Sequence, residues 1–323
     1  MHEPLAPQPG PSNLKMSYSR SLCLGFAQSL TLLISFLLAI ITLVIGLPFA
    51  CLCRSRAPLI TPSSILISGA TGGLGEEIAV QYARALGAGV SLALTGRNAE
   101  ALERIASACR ELGARVRTLR ADVLSRPELA AFVAEVDASA PLDLVIANAG
   151  VTERTAGIIE GDIEGGSRAC FAVNVDGVFN TVFPALPRMR ERRRGQIAVI
   201  SSIASYNAFS AFDGYSASKG AIRMWAESLR HKLFREGVLV SCVCPGYIAG
   251  AMTKAFGGKL NLVGMVSQAH AAECVIAGLA RDESLIAFPA STFLLSSSLL
   301  AALPHAARDL LAQSHIFAEY KYA

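Results

Sequence analysis

Ser64-Ile65-Leu66-Ile67-Ser68-Gly69-Ala70-Thr71-Gly72-Gly73-Leu74-Gly75 reads as a short apolar strand that empties into a glycine-rich turn, and the helix-length segment Glu76–Leu86 follows it. Glycines at such a turn let the backbone come close to a pyrophosphate. The helix N-terminus beyond it offers free N–H groups and a dipole that favours the anion. The turn alone is weak evidence; its place between a strand and a helix supplies the context the reading needs. Outward from this turn the alternation continues. Ser91–Thr95, Val116–Leu119, Leu142–Ala147, Gln196–Ser201, Val238–Cys244 and Leu285–Phe288 are further strand-like runs, separated by helix-length segments such as Ala99–Leu112 and Glu128–Ala138. Strand–helix alternation implies a parallel sheet covered on both faces. Seven such runs fit one doubly wound α/β domain rather than two.

The turn is spaced Gly69-x-x-x-Gly73-x-Gly75, not Gly-x-Gly-x-x-Gly. Ordered motifs follow: Asp122-Val123 after the third strand, Asn148-Ala149-Gly150 after the fourth, and Asn174 in the next helical stretch. Ser202 stands 13 residues before Tyr215, Lys219 follows in the pattern Tyr-x-x-x-Lys, and Pro245-Gly246 ends the sixth strand. Together these resemble the short-chain dehydrogenase/reductase family over about residues 60–290, and several motifs in the right order make the resemblance specific. It implies a single seven-stranded parallel sheet of the Rossmann type. It also implies that Gly69, Gly73, Gly75, Asp122, Asn148, Pro245 and Gly246 contact a nicotinamide dinucleotide.

Tyr215 and Lys219, four apart, share one helix face. A free tyrosine titrates near pH 10, too high for ready proton transfer near neutrality. The Lys219 ammonium is expected to stabilise the phenolate and lower that value. Tyr215 then exchanges a proton with the oxygen of a carbonyl or alcohol, and Ser202 holds that oxygen in place. The resemblance adds a grip of Lys219 on the nicotinamide ribose and a water relay supported by Asn174. Charge bears on the choice of dinucleotide. The second strand ends Leu94-Thr95-Gly96-Arg97-Asn98. It offers no acid for ribose hydroxyls, and Arg97 can pair with a 2′-phosphate, so NADP is expected over NAD. One departure stands out: the family often has a threonine four residues after the Pro-Gly glycine, and here that position is Gly250, with Thr253 close by.

Composition bounds the rest. In this chain of 323 residues, 52% hydrophobic and 17% charged residues exclude disorder as the dominant state. A net charge of +4 is too mild to argue for nucleic acid. Eight scattered cysteines form no zinc spacing and no compact disulfide framework, and His231 and His270 lack metal-ligand partners, so no metal is expected. With no Asn-x-Ser/Thr sequon, the catalytic domain is expected to face the cytosol. The mean hydropathy of +0.45 is high, and its source is the run of 33 uncharged residues between Arg20 and Arg54. That length spans a bilayer with tilt, so residues 21–53 are expected to be a single transmembrane anchor whose flanking charges tie on orientation. Residues 1–20, with Pro4, Pro7, Pro9 and Pro11, suggest a disordered tail. Cys51 and Cys53 lie beside the membrane, where palmitoylation is an alternative to plain thiols. The basic run Arg188–Arg194 suggests a solvated helix end, and Trp225 a packing residue. The tail 291–323 opens with the apolar or hydroxylic stretch Ser291–Leu303, too short to span. A helix on the membrane or over the substrate pocket is expected. Similar tails occur in members resembling ketosphinganine reductases and hydroxysteroid dehydrogenases, which suggests a lipophilic carbonyl or alcohol as substrate. The expectation is therefore a membrane-anchored oxidoreductase, with a second copy of the chain as a further partner. The rival is a non-catalytic nucleotide-binding scaffold on the membrane, which would have no need of Ser202, Asn174, Tyr215 and Lys219 together.

Overall fold

The computed structural model describes residues 37, 61–159, 161–208, 212–254, 264–301 and 303–313. The expected anchor at 21–53, the tail at 1–20 and the Cys51–Cys53 pair lie outside these, apart from Leu37, which is helical. No helix among the described residues is long and apolar enough to cross a membrane.

Seven strands form one parallel sheet in the order β3-β2-β1-β4-β5-β6-β7. They are β1 (Ser64–Ser68), β2 (Ser91–Gly96), β3 (Arg115–Arg120), β4 (Leu144–Ala147), β5 (Gly195–Ile200), β6 (Val238–Pro245) and β7 (Leu285–Phe288). Each overlaps the run expected from the sequence. The helices that cross between them are α1 (Gly73–Leu86), α2 (Ala99–Glu111), α3 (Arg126–Ser139), α4 (Ile163–Phe171), α5 (Gly177–Val182), α6 (Leu186–Glu191), α7 (Asp213–Leu233), α8 (Ala251–Lys254) and α9 (Gln268–Ala280). After β7 come α10 (Ala290–Leu294) and α11 (His305–Gln313).

The period-2 alternation of a strand sends successive side chains to opposite faces. In β1, Ile65 and Ile67 join one core with Ile78, Leu102 and Leu279, while Leu66 joins the other with Val133, Val182 and Ile222. One core therefore lies under α1, α2 and α9, the other under α3, α5 and α7. Each fully buried Ile or Leu contributes roughly 1.5–3 kcal/mol relative to leaving it exposed. The edge strand β3 carries exposed Arg115, Arg117 and Arg120, charges that discourage edge-to-edge pairing.

The arginine run before β5 is more than a solvated helix end. Arg192 grips Asp137 with two hydrogen bonds of 2.8 and 3.0 Å and also donates to the Leu142 carbonyl at 2.7 Å. The two side chains are only 25% and 10% exposed, so this fork pins the end of α3 to the turn into β4. Arg190 pairs with Glu236 and Arg194 with Asp143. A basic run does not announce its partners when those lie 50 or more residues away in the chain, as Asp137 does for Arg192. Trp225 packs edge-on against Phe179 and Phe183, with ring centroids 4.9 and 5.8 Å away.

Candidate active site

Parallel strands all end on one edge of the sheet, and there a cleft of about 1230 Å³ opens. Its first end is the glycine turn between β1 and α1. Gly69 adopts a φ of +66°, and a Cβ there would come 2.7 Å from the Ala149 Cα. A Cβ on Gly75 would meet the Asn148 Nδ2 at 2.5 Å. These two glycines let the turn close against the loop after β4. Asn148 completes that seam by donating from Nδ2 to the carbonyls of Ser68 and Gly69, at 3.1 and 3.0 Å. Gly72 and Gly73 instead face open space within the cleft. The free N–H groups at the start of α1 therefore face into the cleft, the donor set a pyrophosphate needs. The residues present fit a dinucleotide.

At the same end, Arg97 and Asp122 line the cleft as a loose, exposed pair 4.0 Å apart. Asp122 also accepts the Leu124 N–H at 3.0 Å, which shapes the turn after β3. Asn98, next to Arg97, caps α2 by accepting from the Ala101 N–H.

Ser202, Tyr215 and Lys219 line the same cleft. Ser202 ends the strand-to-helix turn after β5, accepts the Ala204 N–H at 3.1 Å, and hydrogen-bonds the Tyr215 phenol. Lys219 is buried, donates from Nζ to the Ile200 carbonyl at 2.8 Å, and lies 5.8 Å from the Tyr215 ring centre. Burial pushes Tyr215 up to about 12, and the Ser202 hydrogen bond opposes this only in part. Burial also pulls Lys219 down to about 8. The lowering of Tyr215 expected from the ammonium is thus outweighed: the same low-dielectric surroundings favour the neutral form of both groups.

Asn174 sits in a π-helical turn, Ala172–Asp176, between α4 and α5, and is fully buried. Its side chain brackets Val151, accepting from its N–H at 2.8 Å and donating to its carbonyl at 2.9 Å. It donates further to the Ser218 hydroxyl at 2.9 Å. A Cβ on Gly150 would lie 3.1 Å from the Lys219 Nζ and 3.2 Å from the Asn174 Oδ1, so Lys219 and Asn174 converge there. Pro245 and Gly246 also line the cleft, and the Gly246 N–H donates to the Phe288 carbonyl at 2.7 Å. Thr253, next to the position where a threonine was expected, spends its hydroxyl on the Gly250 N–H and the Ile248 carbonyl at 2.9 Å each.

The C-terminal segment also contributes to the cleft. After α10 the chain runs through a π-helical stretch, Leu295–Leu300. Ser296 is buried, donates to the Ile203 carbonyl at 3.1 Å and accepts from the Asn207 Nδ2 at 2.6 Å. Phe293 packs edge-on to Tyr206. Leu300, His305 and Arg308 reach the cleft itself. Sequence reasoning missed Ser218 and Glu153, which hold the Tyr215 backbone from either side. No spacing signal marks a serine inside a helix or a carboxylate in a loop.

A glycine turn opening on a cleft, with a buried tyrosine–lysine pair in the same cleft of a doubly wound sheet, fits the class of dinucleotide-dependent oxidoreductases. The sequence pattern of the short chain dehydrogenases matches residues 63–261, and the chain belongs to that family. It is accordingly an NAD(P)-dependent oxidoreductase of CH–OH and C=O groups. An uncharacterized oxidoreductase of Myxococcus xanthus is 31% identical over 69% of this chain and 86% of its own length. 11-beta-hydroxysteroid dehydrogenase 1A of Arabidopsis thaliana is 34% identical over 62% of this chain and 56% of its own. A short-chain dehydrogenase from Sphingobium yanoikuyae, solved with NADPH, shows the same fold at a TM-score of 0.64 and 22% identity, covering 78% of this chain and 96% of its own.

Proposed function

We propose that this protein transfers a hydride between NADP(H) and a lipophilic carbonyl or alcohol, a long-chain keto lipid or a sterol-like molecule, while anchored to a membrane through residues 21–53. The observation that carries the reading is that one cleft is lined by the glycine cradle and Arg97, by Ser202, Tyr215 and Lys219, and by Leu300 of the C-terminal segment. The likeness to a hydroxysteroid dehydrogenase and the 33-residue uncharged run support a lipophilic substrate met at a membrane.

When bound, the dinucleotide supplies or takes the hydride at the substrate carbon. The remaining work falls to the chain. Tyr215, neutral at physiological pH as any ordinary phenol is and held further toward that form by burial, gives its phenolic proton to the carbonyl oxygen in reduction and takes one from the alcohol in oxidation. Ser202 holds that oxygen. Lys219 stabilises the phenolate left behind and grips the ribose, and Asn174 fixes the loop beneath. Gly69, Gly73 and Gly75 shape the pyrophosphate cradle, with Asp122, Asn148, Pro245 and Gly246 completing the dinucleotide site. Arg97 selects the 2′-phosphate, with no acid at the end of β2 to favour a free ribose. The test is turnover of a long-chain keto-lipid and ketosteroid panel by the purified full-length chain with NADPH and with NADH, read as dinucleotide absorbance. Faster turnover with NADPH on apolar carbonyls is expected. Preference for NADH or for small polar carbonyls overturns the corresponding half of the proposal.

A further inference from the structure

The first turn of a helix leaves four backbone N–H groups without intrahelical partners. Helix α7, which carries Tyr215 and Lys219, begins after Phe212, and a phenylalanine ring has no oxygen to offer as a cap. The Tyr215 N–H finds its acceptor elsewhere, in the Glu153 Oε1 at 2.8 Å, 62 residues earlier in the chain. Glu153 belongs to the loop after β4, three residues beyond the Asn148-Ala149-Gly150 motif.

The slot that holds this carboxylate is built for it. A Cβ on Gly166 would come 2.9 Å from the Glu153 Cγ, and one on Gly214 would come 3.2 Å from Oε1 and 2.6 Å from the Ser167 Cα. Two glycines, one on α4 and one on α7, thus clear the space that the side chain fills. The Glu153 Oε2 is buried without a hydrogen-bond partner among the described residues.

The other side of the Tyr215 peptide leads back to the same loop. Its carbonyl accepts from the Ser218 hydroxyl at 2.8 Å, Ser218 accepts from Asn174, and Asn174 brackets Val151. Both backbone groups of Tyr215 are therefore tied to residues 151–153, on the loop whose first residues form the floor of the dinucleotide site. From this clamp we infer that Glu153 is a positioning residue of the reaction, which caps the Tyr215 helix from the loop after β4 and sets the phenol in register with Ser202 and the substrate oxygen. The inference rests on the proposed proton-donor role of Tyr215. Glu153 itself touches neither substrate nor dinucleotide; it acts through the backbone of Tyr215.

The experiment compares full-length wild type with Glu153→Ala, which removes the acceptor, and Glu153→Gln, which keeps an acceptor oxygen of nearly the same shape. Reduction of phenanthrenequinone, a generic diketone probe, is followed with NADPH. Backbone amide exchange over residues 213–216 and a thermal melt accompany it. In Glu153→Ala, kcat is expected to fall about tenfold or more while KM for NADPH stays within about twofold, because the phenol is misplaced and the cradle is untouched. Exchange at 213–216 should rise about fivefold, as for a lost helix cap, with the sheet unchanged. Glu153→Gln should restore both values to within about threefold of wild type. An active wild type with unchanged kcat in Glu153→Ala overturns the role of Glu153 alone. So does a loss in which KM and kcat worsen together, or exchange that rises across the whole sheet, since each marks plain unfolding. No turnover of the probe by wild type, or by wild type and Tyr215→Phe equally, overturns the reading of Tyr215 itself.

Discussion

Lys219 is a place where stability and chemistry oppose each other, and Lys219→Met separates them. The ammonium is 3% exposed, and burial pulls its titration from 10.5 to about 8. At about 1.4 kcal/mol per pH unit, keeping it charged near pH 7 costs the folded state about 3 kcal/mol. Methionine fills similar space without the charge. It gives up the Nζ bond to the Ile200 carbonyl, a loss of about 1.5–3 kcal/mol for a bond from a charged donor. The variant should therefore be as stable as wild type or up to about 1.5 kcal/mol more stable near pH 7, a melting point raised by about 0–5 °C. The sign of the pH dependence follows. Between about pH 8 and pH 10.5 the unfolded lysine holds its proton while the folded one has released it, so wild-type stability rises with pH through that window. Below it the penalty is constant. Urea denaturation of both proteins at about pH 7 and about pH 10 measures the difference, and wild type should gain most of about 3 kcal/mol on the variant between the two. Turnover should collapse in the same variant. A stability gap that stays flat with pH, or a variant several kcal/mol less stable at pH 7, would refute the account of a buried, penalised ammonium.

Tyr215→Phe keeps the ring and removes the phenolic proton; kcat should drop by about 10²-fold or more with dinucleotide affinity largely kept, and near-normal turnover would remove Tyr215 from the chemistry. Arg97→Ala should raise the KM for NADPH by about tenfold and leave NADH nearly unchanged, because the exposed guanidinium is held only loosely by Asp122 and is free to meet a 2′-phosphate. Equal effects on the two dinucleotides would make Arg97 structural. Deleting residues 1–53 should release most of the protein from alkali-resistant membranes while dinucleotide binding survives, since β1 begins at Ser64. Full-length protein extracted by alkaline carbonate contradicts the anchor, and a truncated form that stays integral requires another segment to insert.

The fold was legible because its signals are local. β1 and β4–β6 lie under both helical layers, so almost every residue there is buried and most are apolar, and the runs stand out against their polar connections. The weaker pattern of β3 still reads as a strand because Val116 and Thr118 alternate with Arg115 and Arg117 before Leu119 and Arg120 break the alternation at its end. The glycine turn was legible for a similar reason: the close approach of residues 69 and 75 to the loop after β4 admits only glycine, so the constraint is written in the residue type itself. What escaped was long-range pairing. The Arg192–Asp137 fork hides in a run of arginines that looks like ordinary surface charge, and only the folded chain shows the partner.

The candidate site divides along the same line. Tyr215, Lys219 and Ser202 are tied by spacing on one helix and one strand end, and spacing is visible in a sequence. The titration of these groups is not, because it depends on how much water the finished cleft excludes. The ammonium four residues from the tyrosine pointed toward a lowered phenol, yet burial sets both groups toward their neutral forms. For the reduction half of the proposed reaction this is the useful direction. On the proposed reading, a tyrosine held at about 12 carries the proton to be given, and a lysine near 8, still charged near pH 7, stands beside the phenolate that forms. The same reasoning explains why Glu153 could not be picked out beforehand. A single carboxylate in a loop has no periodicity, and its partner is a backbone N–H that every residue but proline possesses. Only the two glycines facing it, Gly166 and Gly214, carry a trace of the slot in the sequence, and each alone reads as a weak point in a helix. Positioning residues of this kind are set by tertiary structure acting on common groups, so they become visible where buried polar atoms are followed to their partners.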